Sequence, residues 1–147
     1  MRPFSVAVVA VVVAAVACVP VDDVGEGEGE GEGEGDVDGD CFDDVFAGPA
    51  DGAPVVVYAD GFRVGASAAC ADGELYEVYF ELAAPTAFTR VQASFDGAAA
   101  VDVASVDADF DGFRGDACGP AVTSSITVGV QVTNASGPSV PRCGTAF

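Results

Sequence analysis

From residue 54 onward the apolar residues of this 147-residue chain come in short runs that keep step with a period of two. In ELYEVYFEL (74–82), Leu75, Glu77, Tyr79 and Glu81 fall on one side of an extended strand. Tyr76, Val78, Phe80 and Leu82 fall on the other, which is the expected core side. In VTSSITVGVQVT (122–133), Ile126, Val128, Val130 and Val132 alternate against Thr127, Gly129, Gln131 and Thr133. Four further candidate strands are PVVVYA (54–59), FRVGAS (62–67), AFTRVQASF (87–95) and AAAVDVASVDA (98–108). Asp60-Gly61, Asp72-Gly73, Ala84-Pro85 and Asp96-Gly97 are the turn signals between them. No stretch longer than about ten residues carries a helical stripe. The pattern predicts an all-β domain over residues 41–147, a small two-sheet antiparallel sandwich.

The kinds of apolar residue support the same class. Leucine occurs only at Leu75 and Leu82 and isoleucine only at Ile126, so the core must come from Val, Ala, Phe and Tyr. β-branched and aromatic residues favour strands, and good unbranched helix formers are scarce.

The N-terminus breaks the pattern. Arg2 is followed by an uncharged apolar stretch, Phe4–Ala17. It is short of the about 20 residues that span a bilayer comfortably and matches the apolar region of a signal peptide. Ala15-Val16-Ala17 supplies the small residues that a signal peptidase reads. With Cys18 next, residues 1–18 resemble the lipobox of exported bacterial lipoproteins, although Ala15 stands where leucine is usual. The resemblance implies a signal peptide at 1–17 and a lipidated Cys18, anchoring the chain to a membrane in an extracytoplasmic compartment. Val19, rather than Asp, behind that cysteine points to the outer membrane by the sorting rule of enteric bacteria. Plain secretion and an uncleaved anchor are the alternatives.

Residues 18–40 read as a disordered acidic linker. Five consecutive Gly-Glu pairs, Gly25–Glu34, join backbone freedom to self-repelling charge, and almost nothing there can be buried. As a Gly-rich coil the segment would span roughly 25 Å. Fully stretched it would reach about 75 Å. It resembles the low-complexity spacers behind the lipid cysteine of exported lipoproteins. The strand count and the closing SITVGVQVTNASGPS give residues 41–147 an architectural resemblance to the immunoglobulin-like sandwiches of bacterial exported proteins. The Trp of antibody domains is missing.

The cysteines sharpen the anchor reading. Five is an odd number in a chain expected in an oxidising compartment. Assigning Cys18 to a lipid leaves Cys41, Cys70, Cys118 and Cys143, enough for two disulfides. Three pairings are open, and sequence proximity favours Cys41–Cys70 with Cys118–Cys143.

Charge and absences limit function. The chain carries 24 acidic residues against five Arg, with no Lys and no His, for a net charge of −19. Such a field repels nucleic acid and anionic headgroups and attracts divalent cations or basic partners. It also suits adaptation to salty surroundings. Without His or Lys, the Ser–His, Cys–His, His-ligated zinc and Schiff-base mechanisms are excluded. Only carboxylate chemistry remains, as in a small glycan hydrolase. No acid pair marks one, so the chain is expected not to be an enzyme and to need no resident cofactor.

One motif suggests calcium. In DADFDGFRGD, Asp107, Asp109, Asp111 and Gly112 match the core of calcium loops, and Asp116 is placed to close the site. The twelfth position of an EF-hand loop is here Cys118, and the competing reading is a solvated strand end with an Asp-Gly turn. DVDGDCFDD (36–44) is a poorer version, with Cys41 in the glycine's place. Arg-Gly-Asp at 114–116 and Asn134-Ala-Ser136 spell an integrin tripeptide and a glycosylation acceptor, both short enough to arise by chance. The expected function is a non-catalytic, lipid-anchored cell-envelope module for surface display, adhesion or assembly, with a protein or glycan partner. Tyr58, Phe62 and Phe113 are the candidate contact aromatics, with core burial as the competing role.

Overall fold

The computed structural model describes residues 41–147, so the signal-peptide, lipidation and linker readings lie outside the described residues. Among the described residues there is no helix. Eight strands follow one another: β1 (Val56–Ala66), β2 (Glu74–Leu82), β3 (Arg90–Phe95), β4 (Val101–Asp102), β5 (Ala104–Asp109), β6 (Gly112–Gly119), β7 (Ile126–Thr133) and β8 (Arg142–Ala146). The all-β expectation holds.

Pairing links them in the order β4-β3-β7-β8-β1-β2-β6-β5, one nearly barrel-shaped sheet where two separate sheets were expected. Neighbours are antiparallel except β1 and β8, which run parallel and meet at Gly61 and Ala146. The chain passes from β4 at one end of the sheet to β5 at the other through the single buried residue Val103. The stretch 98–108, expected to be one strand, is therefore two.

The β1–β8 junction explains another departure. Asp60-Gly61 was expected to turn the chain, but β1 runs straight through it. A Cβ at Gly61 would stand 2.9 Å from the Cβ of Ala146, and one at Gly144 would collide with the Ala59 carbonyl. Gly61 thus serves close approach of two backbones. Irregular register at Val57 and Val64 bends β1 on either side of that contact.

The alternating strands behave as read. Tyr76, Val78 and Phe80 are buried, as are Ile126, Val128, Val130 and Val132. Across the interior Tyr76 meets Phe95 at 4.6 Å between ring centres. Phe80 lies 5.4 Å from Phe113 and 5.8 Å from Phe88, and those two rings are 4.9 Å apart. Each buried ring contributes about 1.5–3 kcal/mol. Their mutual contacts add about 0.5–1.5 kcal/mol per pair.

β6 and β8 were not anticipated. Residues 107–116 were expected to form a calcium loop or a solvated strand end with an Asp-Gly turn. Here their second half belongs to β6, two of whose glycines make room for rings. A side chain at Gly119 would meet Tyr76 and Phe95, and one at Gly112 would meet the Tyr79 hydroxyl.

All four cysteines of the described region are bridged, in a pairing opposite to the one sequence proximity favoured. Cys41 bonds Cys143 across 102 residues, and Cys70 bonds Cys118 across 48. Register is the physical reason. Cys118 faces Leu75 on β2, close to the turn that holds Cys70, while Cys143 faces Gly129 on β7, over which Cys41 lies. In the chain-entropy account, loops of these lengths contribute about 4–5 kcal/mol each.

Residues 41–50 therefore cross the outer side of β7 and bury it on both faces. A Cβ on Gly129 would meet Phe42, Phe46 and the Cys41 sulfur. Gln131 is buried there and donates from Nε2 to the carbonyls of Ala47 (2.6 Å) and Ser139 (2.9 Å).

Candidate functional site

The outer face of β1, β2, β6 and β5 collects most of the polar chemistry. Directly opposed residues in a sheet point the same way, so register defines this face. Tyr58, Asp60 and Phe62 oppose Glu81, Tyr79 and Glu77. Tyr79 and Glu77 in turn oppose Arg114 and Asp116 on β6, and Arg114 opposes Asp107 on β5. Asp109 joins them through Arg114. Six carboxylates and one guanidinium thus share a surface with two tyrosines and a phenylalanine.

Arg114 sits among the carboxylates. Its Nη1 lies 2.8 Å from Glu77 Oε1 and its Nε 3.8 Å from Asp109 Oδ2. The tyrosines are tied down by neighbouring acids. Tyr58 donates to Asp60 Oδ2 at 2.9 Å and Tyr79 to Glu81 Oε1 at 3.0 Å, with the two rings edge to face at 5.9 Å. Local desolvation, the Glu81 hydrogen bond and the charges of Glu81, Asp111 and Asp109 push the Tyr79 phenol up to about 12. The Asp60 hydrogen bond is the largest cause raising that of Tyr58, followed by desolvation and the charges of Asp60 and Glu81. Both phenols stay neutral donors at physiological pH.

The calcium candidates are divided by the strand geometry. Asp107 and Asp109 flank Arg114 on the outer face, Asp111 stands in the β5–β6 turn, and Asp116 lies farther along β6 opposite Ala104 and Glu77. Among the described residues no three acids or cysteines are gathered as a metal-holding group. The second acidic motif is described only from Cys41 onward; Asp43 and Asp44 edge a recess with Phe42, Val45 and Gly97.

The contact aromatics divide too. Phe113 packs into the core against Phe80 and Phe88, whereas Phe62 is 62 % exposed and Tyr58 45 %. Arg114-Gly115-Asp116 is strand backbone with Gly115 buried. Asn134 is structural: its Oδ1 accepts the N–H groups of Ser136 and Gly137, and its Nδ2 donates to the Gly52 carbonyl.

A recess of about 450 Å³ opens beside the Cys70–Cys118 bridge, between Gly73, Phe95, Val101 and Pro120. Asp72 is the one ionisable side chain in its lining. A two-carboxylate hydrolysis needs a second acid across the cleft, and this recess supplies none.

The residues that sequence reasoning missed are Arg114, Glu77, Tyr79 and Glu81. Their signal was present: the three from β2 are the polar side of the alternation, and Arg114 is the single cation inside the acidic motif. Compared with known proteins, the chain matches no family model, no curated protein and no solved structure.

Proposed function

We propose that this chain is a non-catalytic, lipid-anchored module of a bacterial cell envelope, exported through its N-terminal signal and attached at Cys18. The acidic Gly-Glu segment holds residues 41–147 away from the outer membrane, where they serve display, adhesion or assembly. In this reading the folded part is an immunoglobulin-like sandwich, its two four-stranded leaves joined along β1 and β8.

The observation behind the proposal is the closed set of bridges. Cys41, Cys70, Cys118 and Cys143 bond one another, which suits an oxidising compartment and leaves Cys18 without a partner among them. The outer face adds support for a binding role: Tyr58, Phe62 and Tyr79 share it with Asp60, Glu77, Glu81 and Arg114.

Detergent-phase partitioning of the expressed full chain, with mass analysis of its N-terminus, tests the anchor. The wild type should enter the detergent phase with an acylated Cys18, and Cys18→Ala should remain in the aqueous phase. Equal partitioning of the two would overturn the reading.

A further inference from the structure

Among the described residues, five of the eight exposed large apolar side chains lie along one strand, with Phe110, Val140 and Phe147 elsewhere in the chain. Val55 precedes β1, and Val57, Tyr58, Phe62 and Val64 belong to it. Phe147, 70 % exposed, is bonded to the same strand: the Arg63 N–H donates to its carbonyl and its own N–H to that of Gly61. Single exposed apolar residues are ordinary on a protein surface, but a row of them marks a contact surface. Tyr58 and Phe62 also belong to the face that carries Asp60, Glu77, Glu81, Asp107, Asp109 and Asp116 against Arg114 alone. The strip is therefore apolar along β1 and strongly negative beside it.

Charge chooses among possible occupants. A second copy docked by a two-fold axis would set this acidic face against itself, because such an interface joins like patches. Anionic lipid headgroups are repelled by it. A polypeptide bearing Lys or Arg around an apolar side chain gains from both halves of the surface, with burial at the centre and complementary charge at the rim.

We propose that the outer face of β1 and β2 docks a basic polypeptide segment, whose apolar side chains rest on Tyr58 and Phe62 and whose cations meet Asp60, Glu77 and Glu81. This deepens the binding role given above by naming the partner's chemistry. It is independent of the lipid, so failure of the anchor at Cys18 leaves it standing, and the reverse also holds.

The test uses the full chain and a blocked hexapeptide, Lys-Phe-Lys-Lys-Phe-Lys. The protein has no tryptophan, and two of its three tyrosines, Tyr58 and Tyr79, lie on this face. A change in tyrosine emission that Tyr58→Phe diminishes therefore reports on binding there, against a constant background from the buried Tyr76. The expected result is saturable one-to-one binding that weakens as salt rises. Phe62→Ser should weaken it about tenfold, the effect of truncating a central contact residue. Asp60→Asn with Glu81→Gln should weaken it comparably and flatten the salt dependence. Asp43→Asn with Asp51→Asn, away from this face, should leave it unchanged. Circular dichroism shows that each variant has folded, and Phe62→Leu should retain most of the binding. Equal affinity for Lys-Ser-Lys-Lys-Ser-Lys, or indifference to Phe62→Ser, would reduce the effect to diffuse charge and overturn the proposal. So would self-association of the chain, or adsorption to phosphatidylglycerol vesicles, that Phe62→Ser abolishes.

Discussion

Arg114 reaches diagonally to the neighbouring strand β2 to place its Nη1 2.8 Å from Glu77 Oε1, and on its other side it approaches Asp109 of β5. The guanidinium thereby supplies positive charge within a cluster whose alternating acids resemble a calcium loop. Replacing it with a neutral side chain should transfer that role to a dissolved cation. In Arg114→Gln, millimolar calcium should raise the thermal midpoint, while the wild type should stay insensitive. Without calcium the substitution should cost under about 1 kcal/mol, because the pair is exposed to solvent. An equal calcium shift in the wild type would refute the assignment.

Gly144 sits where β8 crosses the Ala59 carbonyl, and the obstacle is backbone, which cannot step aside as a side-chain tip can. Gly144→Ala should destabilise the domain by about 3 kcal/mol in urea denaturation, at the upper end of overpacking costs. Gly48→Ala is the control, since a Cβ there meets nothing within 4 Å. Its effect should stay within about 0.5 kcal/mol.

Phe110 occupies the tip of the β5–β6 hairpin with φ at +44°, and its side chain is wholly exposed. It therefore bears the steric cost of the left-handed region and gains no packing in return. Asparagine tolerates that conformation better. Phe110→Asn should raise stability by about 0.5–1 kcal/mol, read as a shift in denaturation midpoint at unchanged slope. A fall in midpoint would show that the ring contributes contacts of its own.

Tyr79 gives a signature at high pH. Its phenol ionises at about 12 in the folded chain, against a usual 10.0. The native state therefore holds the proton more tightly than the unfolded chain. The stabilisation is complete below pH 10 and is lost as the pH climbs from 10 to 12. Ultraviolet titration should show a late phenolate step that Tyr79→Phe removes and Glu81→Gln moves downward. Ionisation of every phenol together near 10 would contradict the Glu81 hydrogen bond.

The fold was legible where one face of a strand is wet and the other dry. β2 matches its expected bounds, Glu74–Leu82, and its expected faces, because a shift of one residue would expose Tyr76, Val78 and Phe80. Glycine misled the reading wherever it makes room for a neighbour. Gly61 accommodates Ala146, and Gly119 and Gly112 accommodate Tyr76 and Tyr79, so the expected Asp60-Gly61 turn is strand and β6 continues past the expected Asp-Gly turn. β8, with Gly144 near its middle, is too short for an alternation to register. Disulfide partners depend on register between strands distant in sequence, which local spacing does not encode. On the candidate site, the outward position of Glu77, Tyr79 and Glu81 followed from period two. That Arg114 reaches Glu77 depends on how β2 pairs with β6, a long-range fact with no local trace.

The bridge from Cys41 to Cys143 closes nearly all of the described chain into a covalent ring, with Cys70–Cys118 as a crossbar. A protease that cuts one loop of such a ring makes a nick and no fragment, because the severed ends remain bonded through sulfur. A nicked copy would keep its size, its attachment to the N-terminal segment and the face around Phe62. Two cuts within one segment, or one on each side of the Cys70–Cys118 crossbar, would free a piece of the chain without any reduction. Survival of a first cut in a protease-rich setting thus depends on the bridges staying oxidised, and survival of a second on where along the ring it falls.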